Sequence, residues 1–231
     1  IGEAAARAFY SQGAHVFLLD IDRQKIEDIA RHLGSRAHAI TTDITDPKAV
    51  LSSFETVDKA GHGVDVFINC AGGYQKLLTV EKMDLEEWDK TISLNLRAAF
   101  LCCQAAIPRL KQSKAGRIIN VTSISGRTVH AASSPAYGAA KAGVTQLTRF
   151  LAYELGPFGI TANSIAPLTT LTPRVAALRS EEDVKRIAAQ VPLGRLACVD
   201  DHVSAMLYLA SDGAAFVTGV ALDTNGGRVM M

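Results

Sequence analysis

Arg117-Ile118-Ile119-Asn120-Val121-Thr122-Ser123, followed after a short gap by Tyr137-Gly138-Ala139-Ala140-Lys141 at the head of a long periodic stretch, decides how this chain reads. The first run is short, β-branched and too apolar for a half-exposed strand, so it is expected to be a buried parallel strand. In the stretch 136–155, Ala140, Val144, Leu147, Leu151 and Leu155 fall at helical spacing and form a buried stripe. Gly156-Pro157 is expected to end that helix. Tyr137 and Lys141, at i and i+4, share a helix face that lies away from part of the stripe.

The same alternation repeats along the chain. Strands are predicted at 15–20, 37–42, 64–69, 117–122, 160–165 and 220–223, and helices at about 1–12, 23–33, 48–61, 85–111, 136–155 and 199–211. Strand and helix in strict succession imply a doubly wound parallel sheet, Rossmann-like, in three α/β/α layers. In such a sheet the ligand crevice lies beyond the carboxyl ends of the strands. Asp20, Asp43, Asn69, Ser123 and Pro167 all stand at or just after those ends. The segment 168–197 differs in character, with Thr169, Thr170, Thr172 and Pro173 followed by a charged helical stretch at 180–190. It is too long for an ordinary connection and reads as a helical lid over the crevice.

Bulk properties narrow the function classes. At 231 residues, 48% hydrophobic and 20% charged, the chain suits one well-cored domain spanning 1–231. A net charge of +1 with scattered Lys and Arg leaves no electrostatic footprint for nucleic acid. Cys70, Cys102, Cys103 and Cys198 show no C-x-x-C spacing and suit buried free thiols in a reducing compartment. No apolar stretch reaches membrane-spanning length and no signal peptide is visible, so a cytoplasmic location without membrane partners is expected. The six histidines are dispersed, none beside a second ligand at metal-site spacing, and no metal centre is expected.

Tyr137 and Lys141 have a definite chemistry. A phenol titrates at about 10, and bringing it near 7 takes roughly 4 kcal/mol in favour of the phenolate. One ammonium at about 4 Å in an effective dielectric of about 20 supplies roughly that much. A Tyr-x-x-x-Lys alone also fits a core-edge tyrosine beside a solvated lysine.

Taken together, Ile1-Gly2, Asp43, Asn69-Cys70-Ala71-Gly72, Asn95, Ser123, Tyr137-x-x-x-Lys141 and the run from Asn163 to Pro167 resemble, in order and spacing, the short-chain dehydrogenase/reductase family over essentially the whole chain. The resemblance implies catalytic roles for Asn95, Ser123, Tyr137 and Lys141. Tyr137 is the implied general acid/base and Ser123 orients the same substrate oxygen. Lys141 is implied to lower the Tyr137 pKa and to hold the nicotinamide ribose with it, while Asn95 holds a proton-relay water. Implied cofactor contacts are Ile1, Asp20, Ile21, Asp43, Ile44, Asn69, Ala71, Gly72, Pro167, Thr170 and Thr172, besides Tyr137 and Lys141. Asp20, about twenty residues past the glycine turn, favours NAD over NADP because a carboxylate accepts both ribose hydroxyls and repels a 2′-phosphate. Asp22 is the better candidate for capping the following helix, and Asp43 competes with Thr45 and Asp46 for the next cap. Ser125 is the rival to Ser123.

Three departures stand against the family pattern. The chain begins at the last two residues of the family's T-G-x-x-x-G-I-G loop, so the first strand is expected to be missing. These residues then read as a fragment of a longer parent, poorly soluble and weak in NAD binding as written. Pro167-Leu168 replaces the usual Pro-Gly, and leucine resists positive φ, so the loop path there is expected to differ. Phe158 stands where carrier-protein reductases often have arginine.

The expectation is an oxidoreductase moving a hydride between NAD(H) and a secondary alcohol or ketone, as a homodimer or homotetramer by resemblance. The alternatives are an NADPH-dependent 3-oxoacyl-carrier-protein reductase and, in another class, an NAD-binding sensor or subunit without turnover. Tyr74, Thr128 and His130 are expected to shape the substrate pocket.

Overall fold

A computed structural model describes residues 1–130, 133–172, 175 and 180–230. In chain order the elements are α1 (Gly2–Ser11), β1 (Val16–Asp20), α2 (Arg23–Leu33), β2 (Ala37–Thr41), α3 (Pro47–Lys59), β3 (Val66–Asn69), α4 (Leu85–Ile92), α5 (Ala98–Leu110), β4 (Arg117–Val121), α6 (Pro135–Leu155), β5 (Thr161–Pro167), α7 (Glu181–Ala188), α8 (Val199–Ala210) and β6 (Ala221–Thr224). The helices begin where polar caps precede apolar periodicity. Asp22, Asp46, Asp84 and Ser180 each accept a backbone N–H from the first turn of α2, α3, α4 and α7.

Every strand pair is parallel. The ladders fall into two pieces, β1-β2 and β3-β4-β5-β6. Among the described residues β1 and β3 therefore each have one edge without a ladder partner. Side-chain alternation sends β4 both ways. Ile118 joins Val50 and Phe54 of α3, Cys103 and Leu110 of α5 and Leu151 of α6 on one face. Ile119 and Val121 join Ala5 of α1 and Val203, Met206 and Leu209 of α8 on the other. Helices thus cover both faces of a doubly wound sheet, which accounts for the wholly buried β4 and β5.

The predicted elements are present within a few residues, with four corrections. Strands β1, β2 and most of β3 are only half buried, each standing at an edge of its ladder. The helix expected over 85–111 is interrupted by a π turn, Ser93–Arg97, between α4 and α5. Helix α6 ends in a 3-10 turn, Gly156–Phe158, and the positive φ that reverses the chain, +72°, is at Gly159. Cys198 is exposed rather than buried; all four thiols are free. No described helix is long and apolar enough to cross a membrane.

Candidate active site

The residues singled out at strand ends do collect at one edge of the sheet. Asp20, Asn69 and Pro167 close β1, β3 and β5, while Asp43 and Ser123 lie two residues beyond β2 and β4. Ser123 caps a 3-10 turn, Ile124–Gly126, its Oγ accepting from the Ser125 N–H at 3.1 Å. The Tyr137 hydroxyl shares a hydrogen bond with the Ser123 side chain. The Tyr74 ring lies against the same phenol, centroid to centroid 5.1 Å.

Lys141 is 3% exposed, and its Nζ donates to the Val121 carbonyl at 2.8 Å. That carbonyl ends β4, so the strand that delivers Ser123 also fixes the ammonium. Nζ stands 5.6 Å from the Tyr137 ring centroid. Burial pushes the Tyr137 phenol up to about 12, opposed by the Ser123 hydrogen bond and helped by Tyr74. Burial also lowers Lys141 to about 8. Desolvation is thus the largest influence on the phenol in the cofactor-free chain, with Ser123 working against it.

Asn95 lies within the π turn and is 2% exposed. Its Nδ2 donates to the Thr91 and Gly73 carbonyls, both at 2.8 Å, and its Oδ1 accepts from the Gly73 N–H at 2.9 Å. The bond to Thr91 is local to its own helix, and the two to Gly73 clamp the loop after β3. That loop runs at φ +143° at Gly72, where a Cβ would stand 2.5 Å from Asn95 Oδ1 and 3.1 Å from Lys141 Nζ. Only glycine fits there, and the bare backbone leaves space beside Lys141.

The remaining residues divide. Asp20 is exposed at its strand end, and its Oδ1 accepts from the Asp22 N–H at 3.0 Å. Ile21 is 69% exposed. Asp43 accepts from the Thr45 N–H and hydroxyl, which hold its carboxyl below the usual carboxylate range, while Asp46 caps α3. Ala71 and Gly72 are exposed. The Asn69 side chain instead turns inward and donates to Asn120 Oδ1 at 3.4 Å. Ile44 and Ile1 pack against the two apolar cores. Half-buried Cys70 also lines a core, and burial raises its thiol to about 11.

Thr170 is buried, its hydroxyl donating to the Leu168 carbonyl at 3.0 Å and meeting His202 Nε2 at 2.8 Å. Leu168, where the family has glycine, takes no positive φ; its side chain packs with Ile124 and Val191. Thr172 Oγ1 accepts from the Val175 N–H at 3.2 Å. Within the expected lid, Pro173 and residues 174 and 176–179 lie outside the described residues. Sequence reasoning missed the Val121 carbonyl, because a backbone group has no side-chain signature.

The crevice fits a nicotinamide dinucleotide in these respects: an exposed carboxylate on β1, a glycine-only backbone stretch after β3, and a buried ammonium beside a phenol. Comparison with known proteins gives the lineage. A family profile described as enoyl-(acyl carrier protein) reductase matches residues 1–228. The chain is a short-chain dehydrogenase/reductase. It is 36% identical to the (2S)-[(R)-hydroxy(phenyl)methyl]succinyl-CoA dehydrogenase subunit BbsD of Thauera aromatica, over 99% of this chain and 92% of that protein. It is 34% identical to the 3-oxoacyl-[acyl-carrier-protein] reductase FabG of Escherichia coli, over 100% of this chain and 93% of that one. Among solved structures, gox2181 superposes with a TM-score of 0.92 at 30% identity, covering 98% and 92% of the two chains. A 3-oxoacyl-[acyl-carrier protein] reductase from Brucella melitensis with bound NAD gives 0.90 at 28%, covering 100% and 87%. This short-chain dehydrogenase/reductase is therefore an NAD(P)-dependent oxidoreductase acting on CH–OH groups.

Proposed function

We propose that this enzyme interconverts a secondary alcohol and its ketone with NAD(H), using Tyr137 as the general acid/base. The observation that carries the reading is the Tyr137 hydroxyl held by Ser123 beside the buried Lys141 ammonium. The nicotinamide supplies or accepts the hydride. In ketone reduction the protonated phenol donates to the developing alkoxide, and Ser123 donates to the same oxygen. In alcohol oxidation the phenol must first lose its proton, which burial opposes and the Lys141 charge favours. Asn95 holds the Gly72–Gly73 backbone at the spacing the ring needs, and positions the proton path past Lys141.

The Asp20 carboxylate supports NAD over NADP, and Asp43, Ala71 and Gly72 complete the proposed dinucleotide contacts. The segment 168–197 acts as the lid of a single catalytic domain. Exposed Phe100 on α5 with Phe150 and Tyr153 on α6 supports a homodimer or homotetramer built on those helices, and a cytoplasmic location goes with this reading.

A second reading, 3-oxoacyl-carrier-protein reduction with NADPH, is favoured by the likeness to FabG and disfavoured by Phe158, which is exposed where a carrier-binding arginine is common. A panel of secondary alcohols with NAD, run beside an acetoacetyl thioester with NADPH, separates the two. Turnover of the thioester with NADPH alone would overturn the first reading, and no turnover of any substrate despite NAD binding would point to a sensor.

A further inference from the structure

Three of the histidines that are scattered in the sequence meet in space. His15 precedes β1, His38 is the second residue of β2, and His62 lies in the connection from α3 to β3. The His15 and His62 rings stack at 3.7 Å, and each lies 6.3 Å from the His38 ring. One nitrogen from each comes within 4.8 Å of the others. His38 Nε2 is buried with no hydrogen-bond partner, whereas His15 and His62 are exposed. A buried imidazole nitrogen left unpaired is costly unless something else takes its lone pair or its proton.

We propose that His15, His38 and His62 form a binding site for a divalent transition-metal ion of the zinc class, with His38 Nε2 as its buried anchor. The donor set argues for the class: three imidazoles and no carboxylate suit zinc, copper or nickel and disfavour calcium and magnesium. Metal–nitrogen bonds of about 2.0–2.1 Å in a tetrahedral arrangement put the nitrogens about 3.3 Å apart. The three nitrogens must therefore draw in from within 4.8 Å of one another, and the stack must open so that each ring meets the ion edge-on. The two exposed rings make that movement about their own side-chain bonds, while the anchor stays in place. A fourth position falls to water.

The site lies at the amino ends of the strands, at the opposite end of the sheet from Ser123, Tyr137 and Lys141. It would join the β1-β2 ladder to the connection leading into β3, two pieces that no ladder bond links among the described residues. Its role is therefore a clamp on the fold, with no part in hydride transfer.

The test is calorimetric titration of the untagged chain with Zn²⁺, with Co²⁺ absorption as a report on coordination. One ion per chain is expected, with four-coordinate Co²⁺ bands and a thermal midpoint that rises on zinc addition. His15→Ala and His62→Ala, both at exposed positions, should each weaken binding on the order of tenfold or more and abolish the thermal shift. His38→Ala should do the same, and His32→Ala, on the outer face of α2, should change nothing. Zinc binding that survives both His15→Ala and His62→Ala undiminished, or no saturable binding by the wild-type chain, overturns the proposal.

Discussion

Gly126 lies directly against the main chain of Lys141: a Cβ on Gly126 would stand 2.6 Å from the Lys141 carbonyl carbon and 2.7 Å from the Ala142 nitrogen. The turn that carries Ser123 is thereby docked on the helix that carries Tyr137 and Lys141, with no side chain between them. Gly126→Ala must push turn and helix apart, because the obstructing atoms are backbone. A stability loss of about 1–3 kcal/mol is expected from the overpacking. Because Ser123 moves relative to Tyr137, kcat should fall on the order of a hundredfold. Thermal unfolding and steady-state turnover measure both; an unchanged kcat in a folded variant would remove Gly126 from the catalytic geometry.

Tyr137 should titrate late in the cofactor-free protein. Burial places its phenol at about 12, against an ordinary value of 10.0. An ultraviolet phenolate titration of wild type minus Tyr137→Phe should show the missing group ionising above the other tyrosines. Tyr137→Phe should also slow hydride transfer by about 100- to 10,000-fold while leaving NAD binding nearly unchanged. A difference signal below pH 10 counts against the burial-raised phenol, and hydride transfer at the wild-type rate counts against the acid/base assignment.

Discrimination between the two dinucleotides should rest on Asp20. Removing its charge with Asp20→Asn is expected to raise NADPH affinity and lower NADH affinity, shrinking their ratio on the order of tenfold. Fluorescence titration with each reduced cofactor gives the ratio. Equal affinities in the wild type would dispose of the NAD preference.

His202 makes stability depend on pH. It is fully buried, and its pKa falls from 6.5 to about 4, chiefly through burial. Thr170 gives its proton to the Leu168 carbonyl, so it accepts from Nε2–H, and Nδ1 accepts from the Thr224 hydroxyl at 2.9 Å. The lowered pKa keeps the ring neutral in the folded state at pH 7. The unfolded chain binds the proton first, so this contribution is whole above pH 6.5 and is lost as pH falls toward about 4. The loss amounts to about 3 kcal/mol. His202→Asn should be less stable at pH 7 yet show a shallower decline between pH 6.5 and 4; denaturant unfolding across that range is the check.

The sequence was most legible where one period dominates. β4 and α6 were readable because a solid apolar run and a 3.6-residue stripe each allow one structure. The strand-end set from Asp20 to Pro167 followed from topology alone. What escaped reading depends on contacts between distant segments. Nothing near Thr170 indicates that His202 will take its hydroxyl. No spacing brings His15, His38 and His62 together, since each comes from a different element. The state of Tyr137 also escaped, because i,i+4 spacing reports adjacency to Lys141 and carries no measure of how much water surrounds the pair.

The π turn at Ser93–Arg97 has a consequence for how this chain tolerates length changes. A π turn is an α-helix holding one extra residue, which the helix would shed at little local cost. Each residue of α-helix advances the face by about 100°, so deleting one residue between Asn95 and α5 would swing Asn95 off Gly73 or rotate α5 out of its core, but could not preserve both. The chain there behaves as a ratchet tooth: substitution is graded, whereas a single-residue deletion has no intermediate position.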